Sequence, residues 1–118
     1  MKIFAQKLLV GRTFLANQTV TVEDGQITAI GGGGPADFSV WALTPGLVDL
    51  HCHGGQGFDP ELNERPLPEF LTILLCHGVT DVLLTLGAEL LPTMRRALAV
   101  VQTAMQQQAA GKLPGAHI

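Results

Sequence analysis

From Pro45 onward the sequence alternates two kinds of segment, and that alternation limits the fold more than any other feature. Leu47 to His51 and Val79 to Thr85 are short, largely apolar runs, and Ala116-His117-Ile118 reads as the start of a third. Between them lie stretches with helical spacing. Pro66 and Pro68 open the first, with Leu67, Phe70, Leu71 and Leu74 on one side, His77 in its last turn and Gly78 as its stop. Pro92 starts the second, with Met94, Leu98, Val101 and Met105 as its inward stripe and Gly111 as its end. Strand, helix, strand, helix, strand in that order is the pattern of a parallel α/β layer. A continuous apolar run such as Leu47 to His51 fits a strand buried on both faces.

Residues 1–45 read differently. Ile3 to Val10 forms one strand. Thr19 to Glu23 alternates, Asp24-Gly25 marks a hairpin turn, and Gln26 to Ile30 returns. Val40 to Leu43 supplies a further short strand. Gly31 to Gly34 with Pro35 is a loop; it lacks the Lys-Ser/Thr of a phosphate-binding loop and opens no helix. A sheet of this size needs a second layer to bury one face.

The 118 residues suit one ordinary domain, yet 47% are hydrophobic and only 14% charged, against a usual charged share of about 25%. Such a composition excludes disorder and is rich for a small independent domain, so the chain reads as a piece of something larger. A net charge of −3 with scattered Lys and Arg excludes an electrostatic footprint for nucleic acid. His77, Gly78, Asp81, Gly87 and Glu89 interrupt the apolar stretch from Phe70 to Leu91, which excludes a membrane span. Lys7 and Arg12 break any signal-peptide core. Two cysteines in apolar segments, Cys52 and Cys76, fit reduced thiols in a cytoplasmic protein.

The chemistry concentrates in Asp49-Leu-His51-Cys-His53-Gly54-Gly55, at the end of the first apolar run. In a strand, residues i and i+2 share a face and stand about 6.6 Å apart at Cα. Two imidazoles so placed converge on one ion at about 2.0–2.1 Å. Alternation puts Asp49 on the same face, as support for the histidines, and turns Cys52 away. A bare His-x-His is as easily a core pair or a surface coincidence. Here the Pro-Gly before the run, the position at its end and the glycine pair after it favour a metal site. In parallel α/β layers the carboxyl ends of the strands are where ligands bind.

A short β region followed by Pro45-Gly-Leu-Val-Asp-Leu-His-Cys-His-Gly54 and an α/β repeat resembles the amidohydrolase superfamily. The segments His51-Cys-His-Gly-Gly-Gln-Gly-Phe-Asp59 and Gly78-Val-Thr-Asp-Val-Leu-Leu-Thr85 are similar to those of its N-acetylglucosamine-6-phosphate deacetylase family. The second segment departs from the usual Gly-x-Thr-x-x-x-Pro-Thr, with Leu84 at the Pro position. The resemblance implies part of a β-sandwich domain over 1–45 and the opening of a (β/α)8 barrel over 46–118, an N-terminal piece under a third of such an enzyme. It implies His51 and His53 as ligands of one or two divalent ions (Zn, Fe, Mn or Co), Asp49 as their support, and Gly54 and Gly55 as backbone contacts near the sugar, a turn alone being an equal reading of that pair. It further implies a cytoplasmic homodimer that hydrolyses the acetamide of an amino-sugar phosphate. A strand-3 His-Leu-Glu-Gly-Pro segment, the remaining ligands and the Asp that moves the proton fall beyond residue 118, so no catalytic residue lies in this chain. His117 is given an exposed or structural role rather than that of a ligand.

Two other readings stand beside it. One is a dihydroorotase, hydantoinase or isoaspartyl dipeptidase, which share the strand-1 motif. The other is a non-catalytic module in which Cys52, Cys76 and His77 join the histidine pair around a structural zinc, which requires a distorted backbone because Cys52 faces away.

Overall fold

A computed structural model describes residues 1–62, 66–107 and 112–117. The chain divides into two compact units, Met1–Pro45 and Gly46–Ile118.

The first unit is a four-stranded sheet of β1 (Lys2–Val10), β2 (Thr13–Glu23), β3 (Gln26–Gly32) and β4 (Phe38–Leu43) in the order β3-β2-β1-β4. β1 and β2 are antiparallel, as are β2 and β3, whereas β4 runs parallel to β1. The β2–β3 hairpin turns at Asp24 and Gly25, with φ of 50° and 76°. Two positive φ values in a two-residue loop match the right-handed twist of the flanking strands. β2 begins at Thr13, six residues before the alternating stretch from Thr19. Its first half pairs with β1 from Lys7↔Ala16 to Val10↔Thr13. The core is small: Ala5, Leu8 and Val20 are buried, with Val22, Val40 and Leu43 packed against them. Phe14, Ile27, Phe38 and Trp41 remain exposed, and the Lys7 ammonium lies 4.7 Å from the centre of the Trp41 ring.

The second unit is a βαβαβ layer of β5 (Leu47–Cys52), α1 (Leu67–Cys76), β6 (Val79–Thr85), α2 (Leu91–Gln106) and β7 (Lys112–His117). All three strands are parallel, in the order β5-β6-β7. α1 buries Leu67, Phe70 and Leu71. It ends at His77, whose N–H reaches the carbonyl of Leu74, and the chain turns at Gly78 with φ of 83°. Backbone of that sign is the usual left-handed helix stop and favours glycine. The core joins Cys52, Phe58, Leu67, Phe70, Leu71, Val82, Leu84, Val101, Ala104 and Leu113.

Three local expectations are corrected. α2 buries Ala97, Val101 and Ala104, while Met94 and Leu98 are half-buried and Met105 is 44% exposed. The inward face is set by small residues that let the helix lie close to the sheet, not by the methionines. β7 begins at Lys112 rather than near Ala116, running through Pro114 at a place where no strand pairs on its outer side among the described residues. β5 is not buried on both faces: Leu47, Val48 and Leu50 are 60%, 59% and 64% exposed, and among the described residues β5 stands at the sheet edge with β6 as its one paired neighbour. The expected helix end at Gly111 lies outside the described residues.

Candidate metal centre

The end of β5 and the residue just past it bring the rings of His51 and His53 together. Their Nε2 atoms are 3.1 Å apart and their ring centres 4.9 Å apart, with the planes at 72°. In the neutral pair one nitrogen donates and the other accepts. Two nitrogens at 2.0–2.1 Å from one ion stand about 2.9–3.3 Å apart as the angle between them opens from square to tetrahedral. The observed separation falls inside that span, so the pair fits a divalent ion. Both side chains are exposed. Among the described residues no group of three or more His, Cys, Asp or Glu side chains is gathered in ligating geometry. Ligands beyond the pair must therefore come from side-chain rotation, from water or from residues outside those described.

Asp49 works through the backbone. Three steps along β5, from Asp49 to Cys52, match only two along β6, from Val82 to Leu84. Alternation therefore does not run unbroken up to the histidines, and within this irregularity the His51 N–H donates to Asp49 Oδ1 at 3.1 Å. Extra residues of this kind re-aim side chains at strand ends. Cys52 points into the core, 8% exposed, and burial, with the Asp49 charge adding, pushes its thiol pKa up against the lowering effect of the Gly54 backbone. Cys76 is exposed.

The segment after the histidines is pinned from below. Gly55 and Phe58 exchange both backbone hydrogen bonds at 2.8 Å around a two-residue turn, with Gln56 and Gly57 at φ of 51° and 80°. The N–H and C=O of Gly55 are thus committed to Phe58. Gly54 sits at φ of 110°, and a Cβ there would collide with the Phe58 carbonyl. Phe58, 3% exposed, stacks on Phe70 with ring centres 4.7 Å apart. Burying such a side chain is worth about 1.5–3 kcal/mol. His53 is therefore tied to the core through five residues of tight backbone. The sequence reading missed Phe58; its signal was a lone aromatic closing a glycine-rich turn.

Two acidic residues hold the next part of the loop. Asp59 Oδ1 accepts the N–H groups of Glu61 and Leu62 at 2.8 and 3.0 Å. Burial acts to raise its pKa, but these backbone donors, with the Glu61 side chain and the nearby His53, bring it below the usual carboxylate value. The Glu61 carboxylate accepts the N–H of Gly87, just past β6. The loops after the first two strands of the layer are thereby joined.

A third imidazole stands here as well. His117 at the end of β7 places its ring centre 5.3 Å from that of His51, with the planes at 72°. On the strand between them, Thr85 is 4% exposed, and its Oγ1 has no hydrogen-bond partner among the described residues.

These features define an α/β layer with a cation-competent pair of imidazoles at the carboxyl end of its first strand. No protein-family model and no curated protein matches the sequence. Solved structures do match, and among them are N-acetylglucosamine-6-phosphate deacetylases, the same group of enzymes that the sequence motifs resemble. The enzyme from Mycobacterium smegmatis superposes with a TM-score of 0.84 at 22% identity over 99% of this chain and 34% of its own. The enzyme from Thermotoga maritima gives 0.82 at 24% identity over 99% of this chain and 31% of its own. A point mutant of the Mycobacterium smegmatis enzyme, in complex with N-acetyl-D-glucosamine-6-phosphate, gives 0.77 at 23% identity. At these identities the likeness establishes the fold. The chain spans about a third of the length of these enzymes. Among the described residues no helix is long and apolar enough to cross a membrane.

Proposed function

We propose that this chain forms the N-terminal part of a metal-dependent deacetylase that hydrolyses the acetamide of N-acetylglucosamine 6-phosphate to acetate and glucosamine 6-phosphate. The observation that carries the proposal is the 3.1 Å approach of the His51 and His53 Nε2 atoms, at a strand end of a chain that shares its fold with such enzymes. Residues 46–118 are read as the first units of a (β/α)8 barrel and 1–45 as part of its β-sandwich companion. In support, β5, β6 and β7 are parallel and neighbours in chain order, and the exposed Val48 and Leu50 have the character of residues that a closed barrel would cover.

A divalent ion, when bound, supplies Lewis-acid polarisation of the amide carbonyl and brings the pKa of water toward about 7. His51 and His53 hold it through neutral imidazole nitrogen. Asp49 fixes the backbone from which His51 projects. The Gly54–Phe58 turn fixes the chain that leaves His53. By the resemblance, the carboxylate that moves the proton lies on a later strand, so this chain alone holds a cation without turning over substrate.

The test is acetate release from N-acetylglucosamine 6-phosphate by the protein of the whole reading frame, set against hydrolysis of dihydroorotate. Chelator-sensitive acetate release, lost in His51→Ala and His53→Ala, is the expected result. Turnover of dihydroorotate alone refutes the proposal.

A further inference from the structure

The end of β6 is held on its two sides by different means, and on one side a carboxylate takes the place of a strand. Successive backbone N–H groups of a central strand turn to opposite neighbours. The Leu86 N–H donates to the carbonyl of His117, at the end of β7, at 2.9 Å. The next N–H, that of Gly87, turns toward the β5 side. The β5–β6 pairing has already stopped at Cys52↔Leu84, where the chain leaves β5 for the Gly54–Phe58 turn. The Glu61 carboxylate fills the vacated position and accepts the Gly87 N–H.

The local chain holds Glu61 in place for this bond. Asp59 Oδ1 accepts the N–H groups of Glu61 and Leu62, and Asp59 directly follows Phe58, which is buried against Phe70. Glu61 therefore reaches Gly87 from a stretch fixed to the core three positions earlier. The bond spans 26 residues, whereas every other side-chain hydrogen bond of the second unit, among the described residues, spans four or fewer. Packing does not duplicate it. A cleft of about 330 Å³ lies between Pro60, Glu61 and Leu62 on one wall and Arg96, Ala97 and Val100 of α2 on the other. The Arg96 guanidinium lines that cleft but donates to Thr93 Oγ1 at 3.4 Å, so the carboxylate is committed to a backbone donor rather than to an ion pair.

Resting on the deacetylase reading above, in which the loops after the strands form the face that meets substrate, we propose that Glu61 is a positioning residue. It holds the Gly87 backbone, and with it the start of the loop after β6, where the amino-sugar phosphate is received. A hydrogen bond to a carboxylate is roughly twice as strong as one between neutral groups. Glu61 adds no group to the chemical step, so its loss is felt in substrate binding rather than in turnover.

The experiment compares the protein of the whole reading frame with its Glu61→Ala and Glu61→Gln variants; Gln keeps a side-chain oxygen at the same reach and Ala does not. Hydrogen–deuterium exchange, read by mass spectrometry on peptides spanning 86–90, needs no activity. It is expected to speed up by at least about tenfold in Glu61→Ala and to return toward wild type in Glu61→Gln. Unchanged exchange at 86–90, or equal acceleration in peptides from β1, overturns the local role. Acetate release from N-acetylglucosamine 6-phosphate gives the second arm. KM is expected to rise several-fold in Glu61→Ala with kcat within about twofold, and Glu61→Gln to recover most of the difference. An unchanged KM, or a loss confined to kcat, overturns the role toward substrate. A wild-type protein that releases no acetate refutes the deacetylase reading and the substrate role with it, while the exchange arm alone decides whether Glu61 holds Gly87.

Discussion

Gly54→Ala is the substitution that most directly tests whether the turn below His53 sets the site. Gly54 holds φ of 110°, outside the region open to alanine, and an added Cβ would run into the Phe58 carbonyl. The backbone strain costs about 1–3 kcal/mol. Moving the Phe58 carbonyl away breaks the reciprocal Gly55–Phe58 pair, at about 0.5–1.5 kcal/mol for each of two hydrogen bonds. The sum, about 2–6 kcal/mol, matches or exceeds what the stacked Phe58 ring contributes by burial, about 1.5–3 kcal/mol, and its centre lies above it. The loop is therefore expected to leave its seat and carry His53 with it. Gly55→Ala is the control. Its φ of 149° is strained too, but the nearest atom to its Cβ is Phe70 Cε2 at 4.0 Å, so it meets no collision. Cobalt uptake by the chain should fall more than tenfold further in Gly54→Ala than in Gly55→Ala, with a larger drop in urea midpoint. Equal losses in the two variants, or wild-type uptake in Gly54→Ala, would refute the claim that the Phe58 anchor positions His53.

Further outcomes follow from single residues. Thr85→Val removes the orphaned hydroxyl at nearly constant volume and should raise the stability of the metal-free chain by about 1–3 kcal/mol, seen as a higher urea midpoint at unchanged slope; a lower midpoint would show that Oγ1 is bonded in solution. Alkylation followed by mass spectrometry should label Cys76 rapidly and Cys52 only on unfolding, because Cys52 is buried and its thiol pKa is pushed up; fast labelling at both positions contradicts the packing of Cys52. Asp59 has a lowered folded pKa, so its stabilising contribution is complete above the ordinary carboxylate value of about 3.9. That contribution disappears as pH falls through the folded value. The stability gap between the wild type and Asp59→Asn should accordingly close on acidification, and a gap constant between pH 6 and about pH 3 would remove Asp59 from this role.

What could be read from sequence was whatever local geometry decides. The Asp24-Gly25 turn, the limits of β6 at Val79 and Thr85, and the apolar side of α1 all follow from spacings within one element. The approach of His51 to His53 is of the same kind, two residues close together in the chain at one strand end. Local pattern failed where neighbours decide. Leu47 to Leu50 has the composition of a central strand, but composition does not reveal that among the described residues only β6 lies beside it. Along α2 the methionines looked like the inward stripe; closeness to the sheet selected alanines instead. The irregularity between Asp49 and Cys52 exists only relative to β6, so nothing in β5 alone announces that Asp49 will serve the His51 backbone rather than an imidazole. His117 shows the limit most clearly. It is 66 residues from His51 in the chain, and its ring arrives beside that of His51 only because β5 and β7 flank the same central strand. A motif search therefore sees a pair, while the sheet sets a further imidazole beside one of its members. Residues brought near the pair by topology, such as His117 and Thr85 on the strands beside it, are the ones whose substitution best separates an organised centre from two histidines that happen to be near each other.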